Sequence, residues 1–466
     1  MALIPVLVLP LLVAAVHRYL WIRLVRDVSS PGGWYRRVGT VLAFVLPVLA
    51  AVSMAGNAAG LPFRVLQVVS PPGFYWLAAV LYLVLALLVG EIVRFLWLRQ
   101  LRRRDGAAVP AERAGEAEDA GNDGGAEEDA VLAPAAAAAA RTADTAPHQA
   151  AGAGGTPRRT PGEDGAGNSG DGPGDAPGGE ERDSAPAAGA SQLRRRQFVS
   201  RVIGSGAALI AGTTVGYGAY NARQLRTKRV SVTLANLPRA AHGYRIAVVS
   251  DIHLSAVLGR SHCQRVVDAV NATQPDLVTV VGDLVDAEVG DLRAAAEPLT
   301  QLRARDGQFF VTGNHEYYVD TEEWIAHVRE LGLTPLENER RELPYFDLAG
   351  VNDLRGEDTS HGGPDFEAAL GDRDPRRTSV LMAHQPVQIH EAVDYGVDLQ
   401  LSGHTHGGQL WPATYVAGLA NPTLAGLERY GDTQLYVSRG AGGWGPPVRV
   451  GADPDITVIR LESGEA

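Results

Sequence analysis

The sequence predicts an α/β protein whose sheets are covered by helices, preceded by an α-helical membrane region and a disordered linker. Three observations predict it. Long apolar runs fill the first hundred residues, residues 105–192 hold almost no large apolar side chains, and beyond them short β-rich runs alternate with helical stretches. The chain has 466 residues, more than one ordinary domain needs, and its 54 glycines and 28 prolines are unevenly spread. A formal charge of −11 argues against long nucleic acids as partners, because backbone binding needs clustered Lys and Arg. The single cysteine, Cys263, rules out an internal disulfide and leaves the compartment open.

Residues 1–104 read as a membrane region with three transmembrane helices. The runs are "ALIPVLVLPLLVAAV" (2–16), "VGTVLAFVLPVLAAVSMAG" (38–56) and "FYWLAAVLYLVLALLVGEIVRFLWL" (74–98). The first is short, but no Lys or Arg precedes it and no cleavage site follows, so it reads as a span and not a signal peptide. Arg18, Arg23, Arg26, Arg36 and Arg37 lie between spans one and two, Arg64 alone between two and three, and Arg99, Arg102, Arg103 and Arg104 after three. That bias puts the N-terminus outside and residue 105 inside. Glu91 is expected to pair with Arg94 on one helix face near the interface.

Residues 105–192 are rich in Ala, Gly, Pro and acids, as in "GEDGAGNSGDGPGDAPGGEERDSAP". Such a segment cannot bury enough apolar surface to offset its ordering entropy, so it is expected to be a disordered acidic linker on the cytoplasmic side.

Residues 193–228 carry a fourth apolar stretch. Arg195, Arg196, Gln197, Phe198 and Val199, followed by weakly hydrophobic Gly/Ala-rich sequence, resemble a twin-arginine export signal. An ordinary helix with basic residues on its inner flank reads the same way. Either reading carries the rest of the chain outside, tethered, since no cleavage site stands out.

Residues 229–466 form the soluble domain, long enough for one substantial core. Its apolar runs lie at 244–250, 276–282, 308–313, 345–351, 378–384, 397–403, 433–440 and 455–461. Helical candidates are "RVVDAVNATQ", "LRAAAEPLTQLRAR" and "TEEWIAHVRELG". What ends the strands matters most. "VVSDIH" ends on Asp251 with His253, "VVGDLVD" on Asp283 with Asp286, "VTGNHE" on Asn314 and His315, "LMAH" on His384, and "LSGHTH" on His404 and His406. A lone aspartate after a strand is ordinarily a helix N-cap. Five such ends in order place Asp, His and Asn along the edge where open α/β sheets bind ligands. The glycines flanking His404 and His406 let that loop turn sharply and converge on the others. Oxygen and nitrogen donors without thiolate suit Mn, Fe or Zn over Cu(I) or an iron–sulfur cluster.

"DIH", "GDLVD", "GNHE", "H" and "GHTH", in that order and spacing, resemble the calcineurin-like metallophosphoesterase superfamily over about residues 240–465. The ending "SRGAGGWGPPVRVGADPDITVIRL" further resembles its bacterial membrane-associated or exported members. The resemblance implies a four-layer αββα sandwich with two divalent metals at one edge of the sheets. Asp251 and His253 would hold the first metal and Asp283 would bridge both. Asn314, His384 and His404 would hold the second, and His406 would return to the first. His315 would stay unligated and face the substrate, and Asp286 would orient a ligand.

The chemistry is consistent with that. Two cations sharing a carboxylate neutralise phosphoryl oxygens and activate a bridging water for in-line attack. His315, beside Asn314, is placed to protonate the leaving alkoxide as general acid. Arg439 and Trp444 of "RGAGGWGPP" are candidate substrate contacts. Tyr317, Tyr318 and Trp411 either line a cleft or pack in the core.

The expected function is therefore a membrane-tethered phosphoesterase. Its domain lies outside a bacterial cytoplasmic membrane and favours phosphodiesters that are lipid-linked or envelope-derived. The alternatives are a nucleotide phosphodiesterase or phosphatase, and a catalytically silent membrane sensor.

Overall fold

The computed structural model describes residues 3–107 and 186–464. Four helices among them are long and apolar enough to cross a membrane. They are α1 (Leu3–Trp21), extended by a π-helical turn over Ile22–Arg26, α2 (Trp34–Ala55), α3 (Phe63–Ala107) and α4 (Pro186–Asn221). Leu20, Tyr82, Leu83, Leu87, Ala207 and Ala211 bury one another where α1, α3 and α4 pack. The expected Glu91–Arg94 pair forms at 3.4 Å, and Arg23 joins it at 2.6 Å. The Glu91 carboxylate thereby ties the turn after α1 to α3. Both ends of the expected linker are helical, since α3 reaches Ala107 and α4 starts at Pro186. Alanine-rich sequence such as "PAAGA" favours helix. Residues 108–185, the bulk of that expectation, lie outside the described residues.

The C-terminal domain is built on β1 (Arg226–Leu234), β2 (Arg245–Val249), β3 (Leu277–Val281), β4 (Gln308–Val311), β5 (Thr334–Pro335), β6 (Glu339–Glu342), β7 (Asp347–Gly350), β8 (Ser379–Met382), β9 (Leu399–Ser402), β10 (Gly426–Tyr430), β11 (Thr433–Val437) and β12 (Asp455–Ser463). They form two six-stranded sheets, ordered β1-β12-β2-β3-β4-β5 and β10-β11-β9-β8-β7-β6. Each predicted apolar run coincides with one of these strands, β12 running two residues past its run. The helices are α5 (Arg260–Ala272), α6 (Val289–Ala296), α7 (Thr321–Glu330), α8 (Phe366–Leu370), α9 (Ile389–Asp394) and α10 (Ala413–Ala420).

Alternation along the strands sets the layers. Ile246 and Val248 of β2 pack between the sheets with Val380, Met382, Leu399 and Leu401. Ala247 and Val249 face the other way, into a core with Val266 and Val267 of α5 and Trp324 of α7. On the far side, Phe366 of α8 and Ile389 of α9 cover Leu381 and Leu435. The result is helix, sheet, sheet, helix, the expected four-layer sandwich.

Two sequence expectations change. The candidate helix through 292–305 stops at Ala296, and a 3₁₀ turn over Glu297–Gln301 follows. Pro298 cannot donate the next helical hydrogen bond. The short helix α10 was not anticipated. None of its residues is buried, and Tyr415, Val416 and Leu419 are 70%, 69% and 90% exposed.

The domain is joined to the spans by more than chain continuity. Asn57, in the turn between α2 and α3, donates to the Asp286 carbonyl at 3.1 Å. Arg449 donates its backbone N–H to Gly218 of α4 at 2.9 Å, and Asn221 donates to the Arg449 carbonyl at 3.1 Å. Leu410 and Val450 pack against the α1–α3–α4 cluster.

Candidate metal centre

Five strands, β2, β3 and β4 of one sheet and β8 and β9 of the other, end at the same edge of the sandwich. The residues that follow them turn sharply. Asp251, His253, Asp283, His404 and His406 have φ of 53°, 49°, 52°, 71° and 52°. Left-handed backbone is costly for residues other than glycine, and it collects at sites whose surroundings over-determine it. Here the surroundings are hydrogen bonds between the loops. Asp251 N–H donates to Gly282 and His253 N–H to Asp283, each at 3.1 Å. His404 N–H donates to the Asp251 carboxylate at 3.0 Å. Gly403 allows that approach, because a Cβ there would stand 1.7 Å from Ser250 Oγ.

Two donor groups result. Asp251, His253, Asp283 and His406 offer ligand atoms within 4.8 Å of one another, and so do Asp283, His384 and His404. Asp283 belongs to both. Asn314 Oδ1 lies 2.9 Å from His404 Nδ1, beside the second group. The residues expected as ligands are thus brought to one place from both sheets.

The side chains fit divalent cations. His384 Nδ1 faces the Val281 carbonyl at 2.9 Å and so carries a proton. Its Nε2 is buried without a hydrogen-bond partner, 3.2 Å from Asp283 Oδ2. A bare imidazole lone pair aimed at a carboxylate oxygen needs a proton or a cation between them. Burial, reinforced by the charge of His384, holds His404 down at about 4. Burial, with His253 and Arg449 nearby, holds His406 well below its ordinary value. Neutral imidazole is the form that ligates. Burial opposes ionisation of Asp283, but positive charge on the His384 side, with His315 and His253 nearby, holds its carboxyl well below the usual range.

Asp286 stands behind two rings. Its Oδ1 lies 2.7 Å from His253 Nδ1 and 2.8 Å from His315 Nδ1, so each ring presents Nε2 away from it. These three residues also lie close enough to form a donor group of their own. With Oδ1 accepting from two ring N–H groups, Asp286 is better suited to orientation than to ligation. Burial would lower the His315 imidazole, but the Asp286 hydrogen bond and the nearby Asp283 carboxylate raise it to about 9.

Around His315, the Tyr318 ring centroid is 5.3 Å away and that of Trp444 6.0 Å away. Both side chains are about half exposed. Tyr317 instead packs in the core, its hydroxyl 3.1 Å from Thr312 Oγ1. The Arg439 stem lies against Gly407 of the His404–His406 loop.

Three groups escaped the sequence reading. Glu316 is buried and accepts backbone N–H groups from Gly313, Asp283 and Leu284 at 2.6, 3.0 and 2.8 Å. It closes the quoted "GNHE", so its signal was present. Arg449 is fully buried and donates to the carbonyls of His406, Gly442 and Gly440 at 2.9, 3.0 and 3.3 Å. It stands in the quoted ending, without an assigned role. Asp353, just beyond β7, accepts from Gln385 at 2.9 Å and buttresses the loop after His384.

The family model of calcineurin-like phosphoesterases matches residues 244–408. A transmembrane protein with metallophosphoesterase domain from Danio rerio is 38% identical over 291 residues, covering 58% of this chain and 67% of that protein. A Bos taurus protein of the same description is 39% identical over 251 residues, covering 50% of this chain and 56% of that protein. An uncharacterized metallophosphoesterase of Bacillus subtilis (strain 168) is 32% identical over 282 residues, covering 58% of this chain and 99% of that protein. The chain thus spans about half to two thirds of the two vertebrate relatives and nearly all of the bacterial one. With relatives in animals as well as bacteria, the likeness reaches the superfamily and does not fix a bacterial origin.

Proposed function

The chain belongs to the calcineurin-like phosphoesterase family and is a metal-dependent phosphoric ester hydrolase, and from that premise we propose a membrane-tethered enzyme that favours phosphodiesters. Asp251, His253, Asp283 and His406 would hold one divalent cation, and Asp283, Asn314, His384 and His404 the other. Mn, Fe and Zn suit these donors. Cations held there would supply positive charge against the phosphoryl oxygens and a water activated for attack near neutral pH.

The protein's own part is positioning and proton transfer. Asp286 fixes the His315 ring through Nδ1, and Nε2 remains to protonate the departing alkoxide. Trp444 stands beside His315 and Arg439 against the loop that carries His404 and His406, and both are candidate substrate contacts. The observation that carries this reading is His315, clamped by Asp286 beside the shared Asp283 carboxylate.

Placement outside the membrane is part of the proposal, supported by the excess of arginine around the α1–α2 connection and in the C-terminal turns of α3. The Arg195–Arg196 run ahead of α4's apolar stretch supports an export signal of twin-arginine type.

The test uses the full chain in detergent, loaded with Mn²⁺. Bis-p-nitrophenyl phosphate should be cleaved faster than p-nitrophenyl phosphate, and chelation should abolish both reactions. His315→Ala should keep its metals and lose roughly 10²–10⁴-fold on a dialkyl phosphate, whose leaving group needs a proton. Undiminished cleavage of that poor leaving group would remove His315 from the role of acid.

A further inference from the structure

A cavity of about 270 Å³ opens directly beside His315 and Asp286. Its catalytic wall includes Tyr318 and Trp444, and its other wall is membrane helix: Met54 of α2, Ala58 of the following turn, and Leu66 and Phe74 of α3. Asn57 closes the two walls together through its hydrogen bond to Asp286. From this cavity we infer that the substrate is an amphiphilic phosphoester of the bilayer, whose apolar alcohol occupies the space between α2–α3 and His315. The inference rests on the phosphoesterase reading above and names its substrate class.

The position along the helices supports it. α2 ends at Ala55, and the unbroken apolar run of α3 starts at Phe74. Met54 and Phe74 lie at those two ends and Ala58 and Leu66 just beyond them, which is where hydrocarbon would give way to headgroups on the side of the C-terminal domain. A lipid phosphate would lie at that depth. At about 270 Å³ the cavity is also far too small for a whole long-chain phospholipid. It therefore holds one part of the substrate while the remainder stays in the bilayer. A second apolar surface of the C-terminal domain also meets the spans. Leu410 and Val450 pack against the spans, and α10 next to them leaves Tyr415, Val416 and Leu419 exposed.

The geometry also orients the reaction. The cavity lies on the His315 side, where the leaving group takes its proton. Water oxygen bonds to phosphorus as the bond from phosphorus to the lipid alcohol's oxygen breaks. That alcohol leaves with the proton from His315, and the polar head keeps the phosphate. From phosphatidylglycerol the products are diacylglycerol and glycerol phosphate.

The full chain, loaded with Mn²⁺ in phosphatidylcholine nanodiscs, would be given dioleoyl or dibutyryl phosphatidylglycerol, with bis-p-nitrophenyl phosphate alongside. The long chains should raise kcat/KM by roughly tenfold or more, the worth of about two methylenes withdrawn from water. Ala58→Trp, which fills the cavity from its exposed turn, should erase that gain. Val68→Trp, on the outward face of α3, should retain it. Chelated protein exposed to a lipid with a diazirine in its acyl chain should be labelled at the Tyr318 or Trp444 segment, and less so in Ala58→Trp. Equal rates for both chain lengths, a gain that survives Ala58→Trp, no labelling of those segments, or phosphatidic acid as product would each overturn the inference. If bis-p-nitrophenyl phosphate is hydrolysed throughout, only the lipid inference falls. If it is not, the phosphoesterase reading falls with it.

Discussion

Glu316 binds two loops with one carboxylate. Its Oε2 accepts from Gly313 and Asp283, and its Oε1 from Leu284, so the loops after β3 and β4 share an anchor. Burial, with the Asp283 charge beside it, pushes this carboxyl up to about 7. Glu316→Gln keeps the size but turns an NH₂ group toward backbone donors. The Asp283 backbone, already at a φ of 52°, then loses part of what holds it. The expected result is a folded protein that binds metal about 10–100-fold more weakly, as for other residues that orient ligands. Competition with a chelating dye checks it, and unchanged affinity would show that the Asp283 turn holds without Glu316. The ligands themselves were legible because each follows its own strand within a few residues. Arg449 was not. It reaches His406 from 43 positions later in the chain, and no local pattern marks a contact made only by folding.

At the scale of elements, α4 is fitted to the C-terminal domain at Gly218. A Cβ there would come 2.5 Å from Val448 and 2.8 Å from Val450, the residues on either side of Arg449. Gly218→Leu should force the helix and this segment apart and cost about 1–3 kcal/mol, as overpacking does. Thermal unfolding in detergent would show a lower Tm, with metal content falling as Arg449 withdraws from His406. A Tm equal to that of the parent would mean that α4 is only a tether. The same scale explains which strands the sequence concealed. The strands missed were β1, β5, β6 and β10, and these are the outer strands of the two sheets. Edge strands carry charge and face water, as "ERRE" of β6 does, so a search for apolar runs passes over them. The central β3, "LVTVV", is buried at every residue and announces itself.

For the whole molecule, the contact between Asn57 and Asp286 constrains topology by parity. The turn after α2 and the C-terminal domain are separated by α3 and α4, and if each of these helices crosses the membrane, as proposed, two crossings return the chain to the same face. The turn at residues 27–33 then belongs to the other face, where Arg201, at the head of α4's apolar stretch, donates to the Val28 carbonyl at 2.9 Å. Under the proposed topology, parity sets which parts lie together, and the arginine bias is what argues which face is outside. Single-cysteine labelling separates the two statements, because the native Cys263 is buried. In intact cells, an impermeant maleimide should label Ala59→Cys and Asp372→Cys, and should label Ser30→Cys only after permeabilisation. Labelling of Ala59→Cys and Asp372→Cys on opposite faces would contradict the Asn57 contact, and with it the proposal that His315 opens toward the membrane surface. Labelling of both only after permeabilisation would keep that cavity and reverse the orientation, so that the enzyme would meet the inner leaflet instead of the outer one.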